Sequence, residues 1–309
     1  MRGHPALLLA FLGVGLSGAT CKGTDSQPKD DPKPPPKTEP LVRAPAVTEM
    51  EGVDMAAVPP ASRMDALRLL NENYAYCGCA RTIAACLANR ADCSCVKSSD
   101  RMAQFVLNMY QQQASTEDVE DMLLSGFAQG YNAPPIEMPG DQQGSLGNPK
   151  APIVISEFAD FFCGHCKDAA PVLKKLAAQH EDVKLVYYYF PLSHNGDAAI
   201  MAAEAAEEAR AQGKFWEMSK ALFDNQPVLD KEGLMKVASD VGLDMAKFAM
   251  ALDQRTHKKK VMENKRLGEQ AKVMSTPSIF INGRPFGLAR TVDVFNTRIE
   301  MERERGQCN

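Results

Sequence analysis

The sequence predicts an α/β domain in its second half, preceded by a small all-α module rich in cysteine. Three observations carry this. The stretch Phe161-Phe162-Cys163-Gly164-His165-Cys166-Lys167 sets a Cys-x-x-Cys pair between an apolar run, Ile153 to Phe162, and a helical run starting near Cys166. Around it the segments read strand, helix, strand, a block of helices, a hairpin and a last helix. Upstream, Cys77, Cys79, Cys86, Cys93 and Cys95 crowd between short helical patterns.

A strand that delivers two cysteines to a helix N-terminus has a direct chemical use. The first amides of a helix lack intrahelical partners and carry partial positive charge. A thiolate placed there is stabilised, and its pKa falls from roughly 8.5 into a range of about 3.5–7.5. Cys163 is the expected exposed nucleophile, and Cys166, one turn inside, closes or resolves a disulfide. His165 is an adjacent group whose positive charge favours the thiolate. The competing readings are a structural disulfide or half of a zinc site, which needs a second pair such as Cys77 and Cys79 or Cys93 and Cys95.

The 309 residues suffice for about two domains, and a hydrophobic content of 45% supports a sizeable core. A net charge of −4 provides no global attraction to nucleic acid, so no such partner is expected. The nine cysteines suit an oxidising compartment.

Taken in order, residues 1–21 read as a leader. Arg2 and His4 precede an apolar run from Ala6 to Leu16, too short to span a membrane, followed by Ser17, Gly18 and Ala19. Cleavage after Ala19 is one exit. The other is lipidation of Cys21, since Leu16-Ser17-Gly18-Ala19-Thr20-Cys21 resembles a bacterial lipobox. Residues 22–60 contain nine prolines and read as a disordered tether. The expected location is the bacterial cell envelope, on the periplasmic side, with the lipid holding the chain to a membrane.

Residues 61–130 form the helical cysteine-rich module. Helical spacing runs through Ala66, Leu69 and Leu70, and again through Met102, Phe105, Val106 and Met109. Ser115-Thr116-Glu117-Asp118 reads as a cap for a third helix. Cys79, Cys86 and Cys93 are seven apart and share a face wherever the segment is helical. Three short helices need staples at this size, so structural disulfides are expected, with Cys308 available as a sixth partner. Cys77, Cys79, Cys93 and Cys95 are also candidate ligands for a soft metal, or a redox relay. Residues 131–149 read as a linker, with a possible short strand at Ile136-Glu137-Met138.

Residues 150–305 form the catalytic domain, with 306–309 as a tail. Ile153 to Phe158 is near-continuously apolar, as in a strand covered on both faces. Val183 to Phe190 is a second strand. Helices follow at Gly196–Arg210, Phe215–Phe223, Lys231–Val241 and Met245–Leu252, then a basic one from Gln254 to Met274. Asn282-Gly283 turns a hairpin, and Val292 to Arg305 closes as a helix.

This domain resembles the DsbA-like branch of the thioredoxin superfamily, which interrupts the thioredoxin fold with a helical insertion. The residues that carry the likeness are Glu157, Phe161 to Cys166, Phe190-Pro191-Leu192, Gly213 to Trp216, Gly242-Leu243-Asp244, Thr276-Pro277 and Phe280 to Gly283. The resemblance implies a buried acid at Glu157 beneath the disulfide, and a cis proline at Pro277 facing it. It also implies that Thr276 offers its backbone to a bound peptide as an added strand. The Gly164-His165 dipeptide is the pair of protein disulfide isomerases, with a potential of about −180 mV. The implied activity is disulfide formation or isomerisation in cysteine-containing client proteins, with no metal or organic cofactor and with an unidentified redox partner. Over about 55 residues the helical module is similar to the thiol-reductase subunit of cytochrome c maturation. That family has Cys-x-x-Cys where this chain has Cys-x-Cys, so no catalytic residue is carried over. The alternative functions are a thiol reductase serving cytochrome or copper-site maturation, and a metal-binding lipoprotein using the Cys-x-Cys pairs.

Overall fold

The computed structural model describes residues 46–77, 79–139, 145–226 and 229–307. The expected leader, the expected lipidation site Cys21, the tether as far as residue 45, and Cys308 lie outside the described residues.

Residues 46–60, expected as the end of the tether, are ordered against the fold. They pack onto the helical module, with Met50 and Val58 buried. No proline falls between Pro45 and Pro59, so the backbone here is free to turn. Asp54 caps a short turn by accepting from the Ala56 amide at 2.9 Å, and Asn71 pairs with both backbone groups of Val47.

The module follows as α1 (Arg63–Glu72), α2 (Ile83–Ala88), α3 (Val96–Gln111), α4 (Thr116–Asp121), a π-helical segment (Met122–Ala128) and α5 (Gln129–Asn132). Ser115 and Asp118 form the expected capping box at the start of α4. The seven-residue cysteine spacing does not lie on one helix. α2 stops at Ala88, and the chain folds back so that Cys86 pairs with Cys93, Cα atoms 5.4 Å apart. Cys77 pairs with Cys95 at a Cα separation of 5.9 Å.

Among the described residues, the second half builds one sheet from β1 (Ser145–Gly147), β2 (Ile153–Ala159), β3 (Val183–Tyr189), β4 (Ser278–Ile281) and β5 (Arg284–Phe286). The order is β1-β3-β2-β4-β5. β2 and β3 run parallel, with Ile153 opposite Val183, and the other pairings are antiparallel. β1 corrects the linker reading of 131–149, because Ser145 lies opposite Val186 at the sheet edge. Ile136 forms no strand; its amide donates to the Gly283 carbonyl at 2.9 Å.

α6 (Gly164–Gln179) joins β2 to β3, and α12 (Val292–Arg303) ends the domain. Between β3 and β4 stand the inserted helices α7 (Gly196–Ala211), α8 (Phe215–Asp224), α9 (Lys231–Val241), α10 (Met245–Asp253) and α11 (Lys258–Gln270). Every residue of β3 is buried, as expected of a strand covered on both faces. Side chains alternate across the sheet. Ile153, Ile155 and Leu185 join Ala169 and Leu173 of α6 and Phe295 and Ile299 of α12. Phe158, Tyr188 and Phe280 form the opposite layer.

The helical module does not close its own core. Leu69, Val106 and Phe127 belong to the same apolar cluster as Leu173 and Phe295 of the sheet domain. Polar groups of the last helix complete the seam. Arg298 is fully buried, pairs with Glu302, and donates to the Gly130 carbonyl at 3.3 Å. Arg305 donates to the Tyr131 carbonyl at 3.1 Å and lies 3.5 Å over the Tyr131 ring. Glu304 accepts from the amides of Lys97 and Ser98, both at 3.0 Å, and so caps α3 from across the seam. Removing one member of a buried ion pair strands the other and costs about 3–5 kcal/mol. Arg298→Ala is therefore expected to lower the urea stability of the described unit by that order. A loss below about 1 kcal/mol would show that the pair is not structural.

Candidate active site

The redox loop is built by the end of β2. After Ala159 the chain leaves the sheet, and Asp160 turns it. The buried Asp160 carboxylate accepts from the Phe162 amide at 2.8 Å, the Leu192 amide at 2.7 Å and the Asn195 side chain at 3.1 Å. Cys163 is then the N-cap of α6, and its carbonyl accepts from the amides of Cys166 and Lys167, both at 3.2 Å. Phe161 anchors the loop by stacking on Tyr187, centroids 5.4 Å apart, and packing on Phe223 of the insertion at 5.1 Å.

Cys163 and Cys166 are free thiols of unequal character. Cys163 is half-buried, and Cys166 is fully buried. The Cys163 thiol is lowered to about 5, first by the hydrogen bond from the Cys166 thiol, then by the bond with Thr276 and the amides of Cys166 and His165. The Cys163 sulfur stands 3.2 Å from the Thr276 carbonyl oxygen. The Cys166 thiol is pushed far up by burial, by its bond to Cys163 and by the nearby Glu157. One sulfur is thus a thiolate at neutral pH, and its neighbour keeps its proton.

Glu157 shares the face of β2 that carries Ile153 and Ile155, on the side covered by α6. It is buried, and its Oε1 has no hydrogen-bond partner among the described residues. Burial, and then the Cys163 charge, push its carboxyl up to about 8. It is therefore a neutral acid at pH 7 that can receive or give a proton near physiological pH. The Thr276-Pro277 bond is cis, and the buried Thr276 sits against the Cys163 sulfur. The structure thus brings Glu157, Cys163, Cys166, Thr276 and Pro277 together. His165 stands apart from the expected picture: its side chain is exposed, and its backbone amide is the group that supports the Cys163 thiolate.

The proposed soft-metal ligands have a different fate. Cys77, Cys79, Cys93 and Cys95 are all disulfide-bonded. A disulfide sulfur is not the thiolate that a soft metal requires.

Two contributors were missed from the sequence. Asp160 stands one residue past the end of β2, with no local pattern to mark it. Gln226 lies in the Asn225-Gln226-Pro227 break that follows α8. Its side-chain amide donates to the Phe161 carbonyl and, at 3.2 Å, to the Cys163 carbonyl. The insertion thereby grips the backbone of the nucleophile. Removing one such bond is worth about 1 kcal/mol, with up to about 3 for a partner left unmet. Gln226→Ala is expected to slow thiol–disulfide exchange by about tenfold, read as the rate of reduction of a disulfide-bonded protein. An unchanged rate would remove Gln226 from the site.

Fold and site together define a thiol–disulfide oxidoreductase domain. The chain belongs to the thioredoxin family, whose model matches residues 141–301. Its sheet is interrupted by the five inserted helices α7 to α11 between β3 and β4, the insertion that the sequence led us to expect.

Among curated proteins, the chain is 32% identical over 161 residues to a Na(+)/H(+) antiporter NhaA 3 of Salinispora tropica, covering 52% of this chain. That match covers 25% of the antiporter, so this chain spans about a quarter of such relatives. Similar solved structures include a thioredoxin-like oxidoreductase from Silicibacter pomeroyi, 24% identical with a TM-score of 0.49, covering 53% of this chain and 93% of that one. BdbD from Bacillus subtilis is 23% identical with a TM-score of 0.46, covering 52% of this chain and 92% of that one.

Proposed function

We propose that this protein catalyses disulfide formation or isomerisation in cysteine-containing client proteins of the bacterial cell envelope. The observation that carries the reading is the inequality of the two sulfurs, with Cys163 lowered to about 5 and Cys166 pushed far up. Stabilising the Cys163 thiolate stabilises the reduced dithiol, which makes the disulfide form an oxidant. A client thiolate attacks Cys163 in the Cys163–Cys166 disulfide. The S–S bond breaks, and Cys166 leaves as a thiolate that takes a proton from Glu157. In the reverse direction Cys166 resolves the mixed disulfide.

The client lies along Thr276, whose carbonyl stands 3.2 Å from the Cys163 sulfur and to which the resemblance assigns strand pairing with a bound peptide. The chemistry uses the sulfurs of the chain and no metal or organic cofactor, and a separate redox partner resets the pair. The leader and Cys21 support a periplasmic, lipid-anchored location. The described helices include none long and apolar enough to cross a membrane.

The test is the equilibrium reduction potential of the full chain in glutathione buffers, read at Cys163 and Cys166. The expected value lies at about −120 to −180 mV. A value near about −270 mV would overturn the oxidase reading and favour the reductase.

A further inference from the structure

Outside the redox loop, sulfur is concentrated at one other place. The sulfurs of Cys77, Cys79 and Cys95 all lie within 4.8 Å of one another. Cys95 is bonded to Cys77, and its sulfur is also 3.2 Å from that of Cys79. That separation is a non-bonded contact, close enough for one sulfur to attack the other. Cys77 and Cys95 are buried, and Cys79 is half-buried. Cys79 also lines an open cavity of about 290 Å³, together with Tyr74, Tyr76, Ala80 and Tyr131. Its sulfur is 3.3 Å from the Ser94 hydroxyl, a group able to donate to a thiolate.

We infer that Cys77, Cys79 and Cys95 form a second thiol–disulfide exchange centre, in which Cys95 changes its bonding partner from Cys77 to Cys79 when a dithiol reduces the chain at Cys79. Cys79 is itself disulfide-bonded, so the first step is opening that bond. The co-reactant is a dithiol, which gives up two electrons and becomes a disulfide. The bond at Cys79 breaks, and its former partner sulfur leaves as a thiol carrying one of the dithiol's protons. The other proton goes to solvent, and Cys79 is left as a thiolate beside Ser94. In the second step the Cys79 electron pair attacks the Cys95 sulfur. The Cys79–Cys95 bond forms, the Cys77–Cys95 bond breaks, and Cys77 leaves as a thiolate that takes a proton from solvent. This second step moves no net electrons. It carries the free thiol from the half-buried Cys79 to the buried Cys77, so the reducing equivalent is stored inside the module.

Exchange among these sulfurs depends on access and alignment. The cavity supplies access at Cys79, and the buried trio supplies proximity. The aromatic lining suits a peptide dithiol flanked by apolar side chains.

The test uses the full chain, wild type and Cys77→Ser, equilibrated with graded reduced and oxidised dithiothreitol. Thiols are then quenched in acid and blocked with N-ethylmaleimide, and unreduced peptides are sequenced by fragmentation. In the wild type, a Cys79–Cys95 linkage is expected at intermediate dithiothreitol, rising as the Cys77–Cys95 linkage falls. In Cys77→Ser, most molecules are expected to carry Cys79–Cys95 without added reductant. The inference is overturned if Cys95 in Cys77→Ser is recovered blocked as a free thiol while Cys79 keeps its original partner. It is equally overturned if the wild type loses Cys77–Cys95 directly to two free thiols at every dithiothreitol ratio. Should Cys77→Ser fail to fold, the wild-type titration alone decides.

Discussion

Cys166→Ser is expected to trap client proteins as stable mixed disulfides, and Cys163→Ser is expected to abolish exchange altogether. The two outcomes differ because the sulfurs differ. Cys163 is half-buried and lowered to about 5, so at pH 7 it is almost wholly thiolate, where an ordinary thiol is only a few per cent ionised. Losing it removes the nucleophile, with an expected rate loss of about a thousandfold or more. Cys166 is buried and protonated, so it acts after the mixed disulfide has formed. Without it the Cys163–client bond persists, visible as a slower band on non-reducing gels that dithiothreitol removes. The same ordering fixes a pH profile. Alkylation of Cys163 by iodoacetamide should rise with a midpoint near pH 5, the value to which its neighbours lower it. A midpoint above about 8 would mean that the Cys166 thiol, Thr276 and the first amides of α6 do not stabilise the thiolate.

Glu157→Gln should stabilise the protein at alkaline pH and slow its chemistry. Burial raises the Glu157 carboxyl to about 8, against about 4.3 in an unfolded chain. Below pH 4 both states hold the proton, and the group costs nothing. Between these values the unfolded state loses its proton while the native state keeps it. Native stability therefore falls by about 1.4 kcal/mol per pH unit, or on the order of 5 kcal/mol by pH 8. Glutamine stays neutral, so the variant lacks this slope. Urea unfolding at pH 4, 6 and 8 should show variant and wild type converging at the acid end and separating toward pH 8, with the variant more stable. Cys163 contributes the opposite sign. Its lowered pKa stabilises the reduced fold above the ordinary thiol range, and that contribution is lost as pH falls through about 5. The difference between wild type and variant isolates the carboxyl. At pH 7 the variant should also release mixed disulfides about a hundredfold more slowly, since a positioned acid–base group contributes on that scale. Equal stability slopes would place the Glu157 carboxyl in contact with water.

Much of the candidate site was legible because it is local. Cys163 and Cys166 lie one helical turn apart, and the apolar run before them announces the strand that aims them at a helix N-terminus. Glu157 came from the resemblance, which placed a buried acid beneath the two sulfurs; a strand buried at nearly every residue carries no alternation to mark it. Asp160 and Gln226 were not legible. Asp160 organises amides more than thirty residues downstream, at Leu192 and Asn195. Gln226 reaches carbonyls more than sixty residues upstream. No periodicity encodes such pairings. His165 shows the converse. Its residue type suggested a charge effect, whereas the contact that forms uses its backbone.

The sequence by itself determined the class of domain, the place of its reactive sulfurs and the helical insertion, because these follow from short-range pattern and spacing. Only the tertiary structure decided how the cysteine-rich half is used. Its helices are too short to bury their apolar faces alone, so they close on α12 through a shared core and the buried Arg298–Glu302 pair. The same folding-back chose Cys77–Cys95 and Cys86–Cys93 among the possible linkages. It also brought Cys79 to within 3.2 Å of Cys95. Spacing along a chain cannot choose among sulfurs that all come within reach of one another, and the packing of the surrounding helices makes that choice.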